Sequence, residues 1–430
     1  MIPVEFMKVA AIGIFAVVYI LLLALPKYRA HVAVAGAVLF VVLGIVPLQM
    51  SFYLIEWNVI MMIAGTMGIV TLFIESKMPS LMGDVILQKV PNVKWAIISL
   101  ALFAGIISAF VDNVATVLMI APIALVVAKR LEISPVPIII AISVSSNLQG
   151  AATLVGDTTA ILLGAAANLN FMDFFIYQSK IGMFWVVQSG AVVSAIVMMV
   201  IFRKYNQPIA KMEKTVVTDY FPSFLLLGTV VLLIATSLIP AGNKPLYTNG
   251  YICMGLLAMG IIYTIVVKKD VPLAKQTVKE LDYFTLVLLA GLFVVIGGLT
   301  EVGVIADVSA LFVRLTGDNV FVLYSLIVWF SVIVSAFIDN IPYVATMLPV
   351  VAGISEIMGL PPALFYFGLL TGATLGGNLT IIGSSANIAG VGILRKEGHE
   401  VSTKEFMSIS VPFTLSAVIT GYVLIWFIWK

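Results

Sequence analysis

Long apolar runs dominate this chain and predict helices that span a membrane. A spanning helix needs roughly 20 apolar residues, and eight runs have about this length, near residues 9–25, 30–49, 57–75, 181–202, 223–240, 250–267, 283–301 and 406–428. Two further regions, about 93–168 and 319–394, are apolar but interrupted by polar residues. The first run has no small-residue cleavage pattern before Pro26, so we expect a retained helix and not a signal peptide.

The composition supports this interpretation. Of the 430 residues, 62% are hydrophobic and 10% are charged, whereas a soluble domain carries roughly 25% charged residues. The net charge of +2 gives no reason to expect a nucleic-acid partner. One cysteine and two histidines exclude a disulfide framework and a Cys-based or His-based metal cluster. We therefore expect a multi-pass protein of the cell membrane, surrounded by lipid.

Basic residues between the apolar runs predict the orientation of the chain. The segment 203–222 divides the chain almost in half and contains Arg203, Lys204, Lys211 and Lys214, which is typical of a cytoplasmic linker. Other basic loops contain Lys27 and Arg29, residues 77–94, Lys129 and Arg130, residues 268–279, and Arg395 and Lys396. All of them can lie in the cytoplasm only if two segments, about 93–130 and 319–352, enter and leave the membrane on the same side. Both are therefore predicted to be re-entrant helical hairpins.

The two halves of the chain resemble each other. SAFVDNVATVLMIAP from Ser108 matches SAFIDNIPYVATMLP from Ser335, 227 positions later, and IEWNVIMMIAG matches LDYFTLVLLAG 226 positions later. Each half has five spans and one hairpin, so the second copy is inverted. We predict an all-α polytopic membrane protein with inverted-topology repeats at 1–202 and 223–430, about ten transmembrane helices, two hairpins, and two discontinuous helices at about 137–168 and 363–395. This architecture is typical of secondary transporters, with the site at the repeat interface.

The hairpin tips carry the strongest candidates for chemistry, Asp112-Asn113 and Asp339-Asn340. A carboxylate within a long apolar region costs about 2.5–3.5 kcal/mol on insertion scales, so such groups are usually functional. The alternative is that each aspartate only caps the following helix, since Asp and Asn are good N-caps. Because the pair recurs at the same place in both repeats, we expect both tips to bind an ion.

Polar and glycine-rich stretches interrupt both discontinuous helices, at 145–159 and 374–387. Glycine lets the backbone leave helical geometry, and irregular backbone at membrane depth is tolerated where it lines a cavity. Here the candidate ion-binding residues are Asn147, Thr153, Gly156, Asp157, Thr158, Asn378, Thr380, Gly383, Ser384, Ser385 and Asn387. Neutral oxygens of this kind suit a sodium ion. The alternative is close helix packing through small residues.

Asp157 has no acidic counterpart, because Ser384 occupies the equivalent position in the second repeat. It can bind a cation or take a proton, or it can serve only as a helix cap. No Lys or Arg lies in either tip or either break, so we expect three acids without a fixed counter-charge, which favours a cation or a proton. The two candidate sodium sites are Asp112, Asn113, Asn147 and Asp157, and Asp339, Asn340, Asn378 and Ser384. Apart from sodium or protons as coupling ions, we expect no cofactor.

Four motifs resemble the ion transporter superfamily. They are FVDNVATVLMIAPIAL, SNLQGAATLVGD, SAFIDNIPYVATMLPV and GATLGGNLTIIGSSANIAGVGILRKEG. The similarity is greatest to the branch of arsenite permeases, sodium/proton antiporters and the melanosomal P protein, with a citrate transporter-like domain. It implies two re-entrant hairpins, two discontinuous helices, a homodimer and an elevator movement of the site. Related dicarboxylate carriers have Ser-Asn-Thr at the tips, whereas this chain has Val-Asp-Asn and Ile-Asp-Asn, which argues against carboxylate transport.

These observations predict a secondary transporter of a small ion, coupled to sodium or protons, and not an enzyme. Cation/proton antiport and transport of arsenite or another inorganic anion come first, and sodium-coupled uptake of di- or tricarboxylates is an alternative. A passive channel is a further alternative, although inverted repeats fit alternating access better than a fixed pore. An intramembrane aspartyl protease is disfavoured because its Gly-x-Gly-Asp motif is absent, and no P-loop of an ATPase occurs.

Overall fold

A computed structural model describes residues 4–130, 132–208, 214–240, 243–317 and 319–430. Part of the predicted linker, including Lys211, lies outside the described residues. The described chain is almost entirely helical, and eight of its helices are long and apolar enough to cross a membrane. The predicted all-α polytopic fold class is therefore confirmed at this level.

The described part of the first half forms ten helices. They are α1 (Val4–Ala24), α2 (Arg29–Val42), α3 (Leu48–Leu54), α4 (Trp57–Glu75), α5 (Met78–Leu87), α6 (Val93–Ser108), α7 (Asn113–Arg130), α8 (Val136–Gly150), α9 (Thr158–Ala166) and α10 (Met183–Ile201). Two short antiparallel strands, β1 (Ile176–Tyr177) and β2 (Lys180–Ile181), lie between α9 and α10. Short 3-10 turns occur at Pro26–Tyr28 and Met172–Phe174.

Within the residues that the structure describes, the second half also forms ten helices, in an equivalent order. They are α11 (Phe221–Ser237), α12 (Thr248–Val266), α13 (Val271–Lys279), α14 (Tyr283–Glu301), α15 (Val304–Thr316), α16 (Val320–Ser335), α17 (Asn340–Met358), α18 (Ala363–Gly376), α19 (Ser385–Lys396) and α20 (Thr403–Trp429). A 3-10 turn at Gly377–Leu379 follows α18.

One predicted span is wrong in length. The apolar run 30–49 was expected to form one helix, but α2 ends at Val42 and α3 begins at Leu48. Gly44 adopts a positive φ of 71°, and the amides of Ile45 and Val46 turn back to the carbonyl of Phe40. Pro47 then precedes α3, and a proline cannot continue the hydrogen bonding of a preceding helix. Apolar content alone does not reveal this turn.

Equivalent helices of the two halves pack in equivalent ways. Helix α4 lies along α12, and α14 lies along α2. Likewise α6 packs on α8 and α16 packs on α18, while α10 and α20 pack against each other. The result is that α6 with α7, and α16 with α17, form two helix-turn-helix units whose tips lie beside the breaks between α8 and α9 and between α18 and α19.

Two glycines make this approach of tip and break possible. A Cβ atom on Gly156 would lie 2.7–2.9 Å from the carbonyl oxygens of Gly150, Ser108 and Ala109. A Cβ atom on Gly383 would lie 2.7–2.8 Å from the carbonyl oxygens of the residues 227 positions further on, at 377, 335 and 336. Both contacts are with backbone atoms, which cannot rotate away as a side chain can. Each break therefore packs directly against a hairpin tip.

We expect Gly156→Ala to destabilise the protein, because overpacking against backbone costs about 1–3 kcal/mol. The measurement is the melting temperature of the purified protein in detergent, which should fall relative to wild type. Gly392→Ala is the matched control, because nothing lies within 4 Å of a Cβ atom built on that helical glycine. Equal melting temperatures for the two variants would contradict the packing described here.

Candidate functional site

Both hairpin tips use their aspartate as a helix cap. The Oδ1 atom of Asp112 accepts hydrogen bonds from the amides of Val114 (3.0 Å) and Ala115 (3.2 Å) at the start of α7. In the same way, Oδ1 of Asp339 accepts a hydrogen bond from the amide of Ile341 (3.2 Å) at the start of α17. Capping leaves the second oxygen of each carboxylate available for another partner. The capping role and an ion-binding role are therefore compatible.

The breaks are tied to the tips by threonine hydroxyl groups. Thr153 donates a hydrogen bond to the carbonyl of Ala109, and Thr380 donates one to the carbonyl of Ala336. These two predicted site residues thus bind backbone rather than face open space. Asp157 is extended, with φ −146° and ψ 154°, immediately before α9. Its Oδ2 atom accepts a hydrogen bond from the Thr159 hydroxyl at 2.9 Å.

The amide of Asn147 connects both tips and both breaks. Its Oδ1 atom accepts hydrogen bonds from Asn113 (2.9 Å), Asn340 (3.4 Å) and Ser384 (2.9 Å). Its Nδ2 atom donates to the carbonyl of Thr374 (2.7 Å) and to Oδ1 of Asn378 (3.0 Å). Because this oxygen already has three donors, Asn147 in this conformation holds the site together. Its predicted role as an ion ligand stays a prediction.

Two other predicted residues are also engaged with backbone. Asn378 donates to the carbonyl of Val144 at 2.9 Å. Asn387 donates to the carbonyls of Gly377 (3.1 Å) and Thr380 (3.0 Å), and its buried Oδ1 atom has no hydrogen-bond partner among the described residues. Asn387 thus satisfies backbone groups of the break in the second half, as buried polar groups require, whereas Asn378 connects that break to α8 of the first half.

A cavity of about 310 Å³ opens between the tips, the breaks and helix α4. The predicted residues that line it are Asp112, Asn113, Asp157, Thr158, Asp339, Asn340, Ser384 and Ser385. The other predicted residues are not among its described lining residues: Asn147, Thr153, Gly156, Asn378, Thr380, Gly383 and Asn387. The structure therefore places the acids of both halves around one cavity, with the amides and glycines as its support.

Two acidic lining residues were not predicted. Glu280 and Asp282, just before α14, line the same cavity as the three predicted acids. The sequence contains one signal for Asp282, since it is the repeat equivalent of Glu56, but nothing in the local pattern places it near a tip. Five carboxylates thus line the cavity, and no Lys, Arg or His is among its described lining residues.

The expectation that all three acids lack a fixed counter-charge is wrong for Asp339. Nη1 of Arg29 lies 3.2 Å from Oδ2 of Asp339, and both side chains are mostly buried, with 16% and 14% of their surface exposed. Arg29 is 310 positions away in the sequence and was assigned only to a basic loop. No local pattern could have found this contact. Asp112 and Asp157 form no ion pair within the described part of the chain.

The acids are spread around the cavity rather than gathered at one point. Within the described residues, no group of three or more His, Cys, Asp or Glu side chains is arranged to hold a metal ion. On Asp112, the Oδ2 atom has no hydrogen-bond donor among the described residues. A single carboxylate oxygen facing a cavity suits a monovalent cation or a proton better than a tightly coordinated divalent metal, which takes several oxygen ligands.

Comparison with known proteins finds sequence relatives and a solved structure of similar fold. The chain is 31% identical to an uncharacterized transporter of Mycobacterium bovis over 98% of both chains. It is also 26% identical to the P protein of Mus musculus, over 97% of this chain and 60% of that one. Its fold is similar to that of the YdaH transporter of Alcanivorax borkumensis, with a TM-score of 0.57 and 15% identity over 85% of this chain and 84% of that one.

The family match identifies the chain. Residues 19–372, well over half of its length, match the family described as citrate transporter. The expected resemblance to the ion transporter superfamily is thereby confirmed, as is the expected multi-pass location in a cell membrane. This chain belongs to the citrate transporter family of membrane transporters.

Proposed function

We propose that this transporter works by secondary active transport and that it couples to a sodium ion or a proton bound at Asp112 and Asp157. The observation that supports this proposal is the cavity, which five carboxylates line and where Asp339 is the only one of the five with an ion-pair partner among the described residues. Asp157 is only 4% exposed, so its charge is largely removed from water. Such a group is costly to keep ionised without a positive partner.

Electrostatics favour a cation beside Asp112 and Asp157, the two cavity acids that the first half of the chain contributes. At an effective dielectric constant of about 20, two unit charges about 4 Å apart interact by about 4 kcal/mol. Neither Asp112 nor Asp157 has a described ion-pair partner, so a sodium ion or a proton can supply the missing charge. Because both ions use the same carboxylates, their binding is competitive. Competition of this kind is the basis of cation/proton antiport.

The neighbouring elements also support a site that changes its accessibility. The cavity is lined by Ile74, near the end of α4, and by Glu280 and Asp282, near the start of α14. In the predicted topology the end of α4 and the start of α14 lie beside the cytoplasmic basic loops, so the cavity in this conformation opens to the cytoplasm. Alternating access then requires the tips and breaks to move relative to α4 and α14. Because the chain resembles the ion transporter superfamily, we also propose that the tips and breaks move as an elevator and that the protein is a homodimer.

A second candidate, uptake of a citrate-like anion together with cations, has its own support. Four helices, α7, α9, α17 and α19, begin at the cavity, and helix N-termini carry partial positive charge. Arg29 lies beside Asp339, and the family is described as citrate transporter. In this candidate, cations bound to the carboxylates offset their repulsion of the anion. Transport of arsenite or another inorganic anion would need bound cations for the same reason.

Flux into proteoliposomes tests these candidates together. Purified protein is reconstituted, and uptake of ²²Na⁺, citrate, arsenite and chloride is measured under imposed sodium and pH gradients. We expect uptake of one of these solutes to follow the sodium or the pH gradient. Ohmic conductance independent of both gradients would instead support a passive channel.

Asp112→Asn should reduce gradient-driven flux at least tenfold, because the amide keeps the size of the side chain but cannot supply the negative charge. Glu301→Gln is the matched control, since this exposed carboxylate at the end of α14 is not among the described lining residues. It should leave flux unchanged. Wild-type flux in reconstituted, well-folded Asp112→Asn protein would contradict the proposed site.

Labelling of single cysteines tests the predicted orientation. Cys253 is fully buried, so the native background should be low. We expect Lys204→Cys to react with a membrane-impermeant maleimide only from the cytoplasmic side. Ser179→Cys, in the turn between β1 and β2, should react only from the outside. The reverse pattern, or labelling of either residue from both sides, would overturn the topology and the inward opening of the cavity.

A further inference from the structure

Asp339 is fully occupied by partners from its own protein. Its Oδ2 atom accepts hydrogen bonds from Nη1 of Arg29 (3.2 Å) and from the hydroxyl of Ser385 (3.0 Å). Its Oδ1 atom caps α17. The guanidinium group is itself held in place, because its Nε atom donates to the carbonyl of Leu22 at 3.0 Å. A cation that bound Asp339 in this conformation would have to displace Arg29.

The equivalent aspartate in the first half has no such partner. Asp112 is the repeat counterpart of Asp339, 227 positions earlier. Arg29 begins α2, and the corresponding helix of the second half, α12 (Thr248–Val266), contains no Lys or Arg. No described Lys or Arg forms an ion pair with Asp112. The repeat therefore duplicates the carboxylate but not the positive charge beside it.

This asymmetry has a direct electrostatic consequence. A fixed positive charge beside a mostly buried carboxylate disfavours the binding of a second cation there, since like charges repel strongly in surroundings of low dielectric constant. Ser385 reinforces the effect by using the same oxygen as Arg29. Two carboxylates that are equal in sequence are thus unequal in their capacity to bind a free cation.

We propose that Arg29 is a built-in counter-ion that blocks the second half of the site, so that each chain binds one coupling cation, at Asp112, and not two. Arg29 is on this account the residue that sets the number of cations per transport cycle. The inference depends on the proposed function of Asp112, and it adds the role of Arg29 and the stoichiometry.

Direct binding of ²²Na⁺ to the purified full-length protein tests the inference. The measurement is made at pH 8.5, where protons compete least, and counts the sodium ions bound per chain. We expect one for wild type and none for Asp112→Asn. Arg29→Gln should bind two, with a steeper dependence on sodium concentration. Arg29→Lys keeps the charge and should bind one, and the double variant Arg29→Gln/Asp339→Asn should return to one.

Arg29→Gln leaves Asp339 unpaired, and this can impair folding. In that case the single variant Asp339→Asn still tests the inference. Asp339→Asn should still bind one sodium ion, since Asp339 is not a cation ligand in this account. Loss of sodium binding in Asp339→Asn would overturn the inference, and so would an unchanged count of one in folded Arg29→Gln. If Arg29→Gln lost citrate binding and kept one sodium ion, Arg29 would be an anion ligand and the inference would be wrong.

The same experiment separates this inference from the proposed function. If the wild-type protein bound no ²²Na⁺, or if wild type and Asp112→Asn bound it equally well, the sodium site at Asp112 would be overturned and the inference with it. Sodium binding that is lost in Asp112→Asn but is unchanged in Arg29→Gln would overturn the inference and leave the proposed function standing.

Discussion

Polar groups removed from water must find partners inside the protein, and this constraint determines the centre of the transporter. Two helices break there, and two hairpins end there, so many backbone groups lack helical partners. Polar side chains gather there as well, and Asn147 connects them: it bonds to the side chains of Asn113, Asn340, Asn378 and Ser384 and to the backbone carbonyl of Thr374. Removing such an amide would leave several buried donors and acceptors unsatisfied, each at a cost of about 1–3 kcal/mol. The acids that line the cavity depend on this support for their positions.

Much of this arrangement could be predicted from the sequence because it follows from local patterns. The apolar runs predict the helices, and the recurrence of Asp112-Asn113 at Asp339-Asn340 indicates that the two tips occupy equivalent positions of an internal repeat. The turn that separates α2 from α3 was missed because apolar content does not report backbone direction. The contact of Arg29 with Asp339 was missed for a different reason. It joins residues from opposite halves of the chain, and only the packing of helices brings them together.

The charges that differ between the two halves of the chain matter more for ion binding than the residues that the two halves share. The two halves carry equivalent aspartates at their tips, but Asp157 has a serine at the equivalent position, and α12, which corresponds to the helix that begins with Arg29, contains no basic residue. One side of the cavity has thereby gained a negative charge and the other a positive one. Such a cavity can bind a cation beside Asp112, and that cation, together with the helix N-termini at the cavity, can then offset the repulsion between an anion and the carboxylates. This explains how one site is compatible with both of the candidate substrates described above.

The central claim is that the tips of both hairpins meet inside the membrane around a single acidic cavity. A cryo-EM structure of the protein in lipid nanodiscs tests it most directly, because the density of the bilayer locates the tips. The account predicts Asp112 and Asp339 near the middle of the bilayer, on the walls of one cavity, with Asn147 between the two breaks. Tips that lie apart, with either aspartate surrounded by bulk water at the membrane surface, would contradict it.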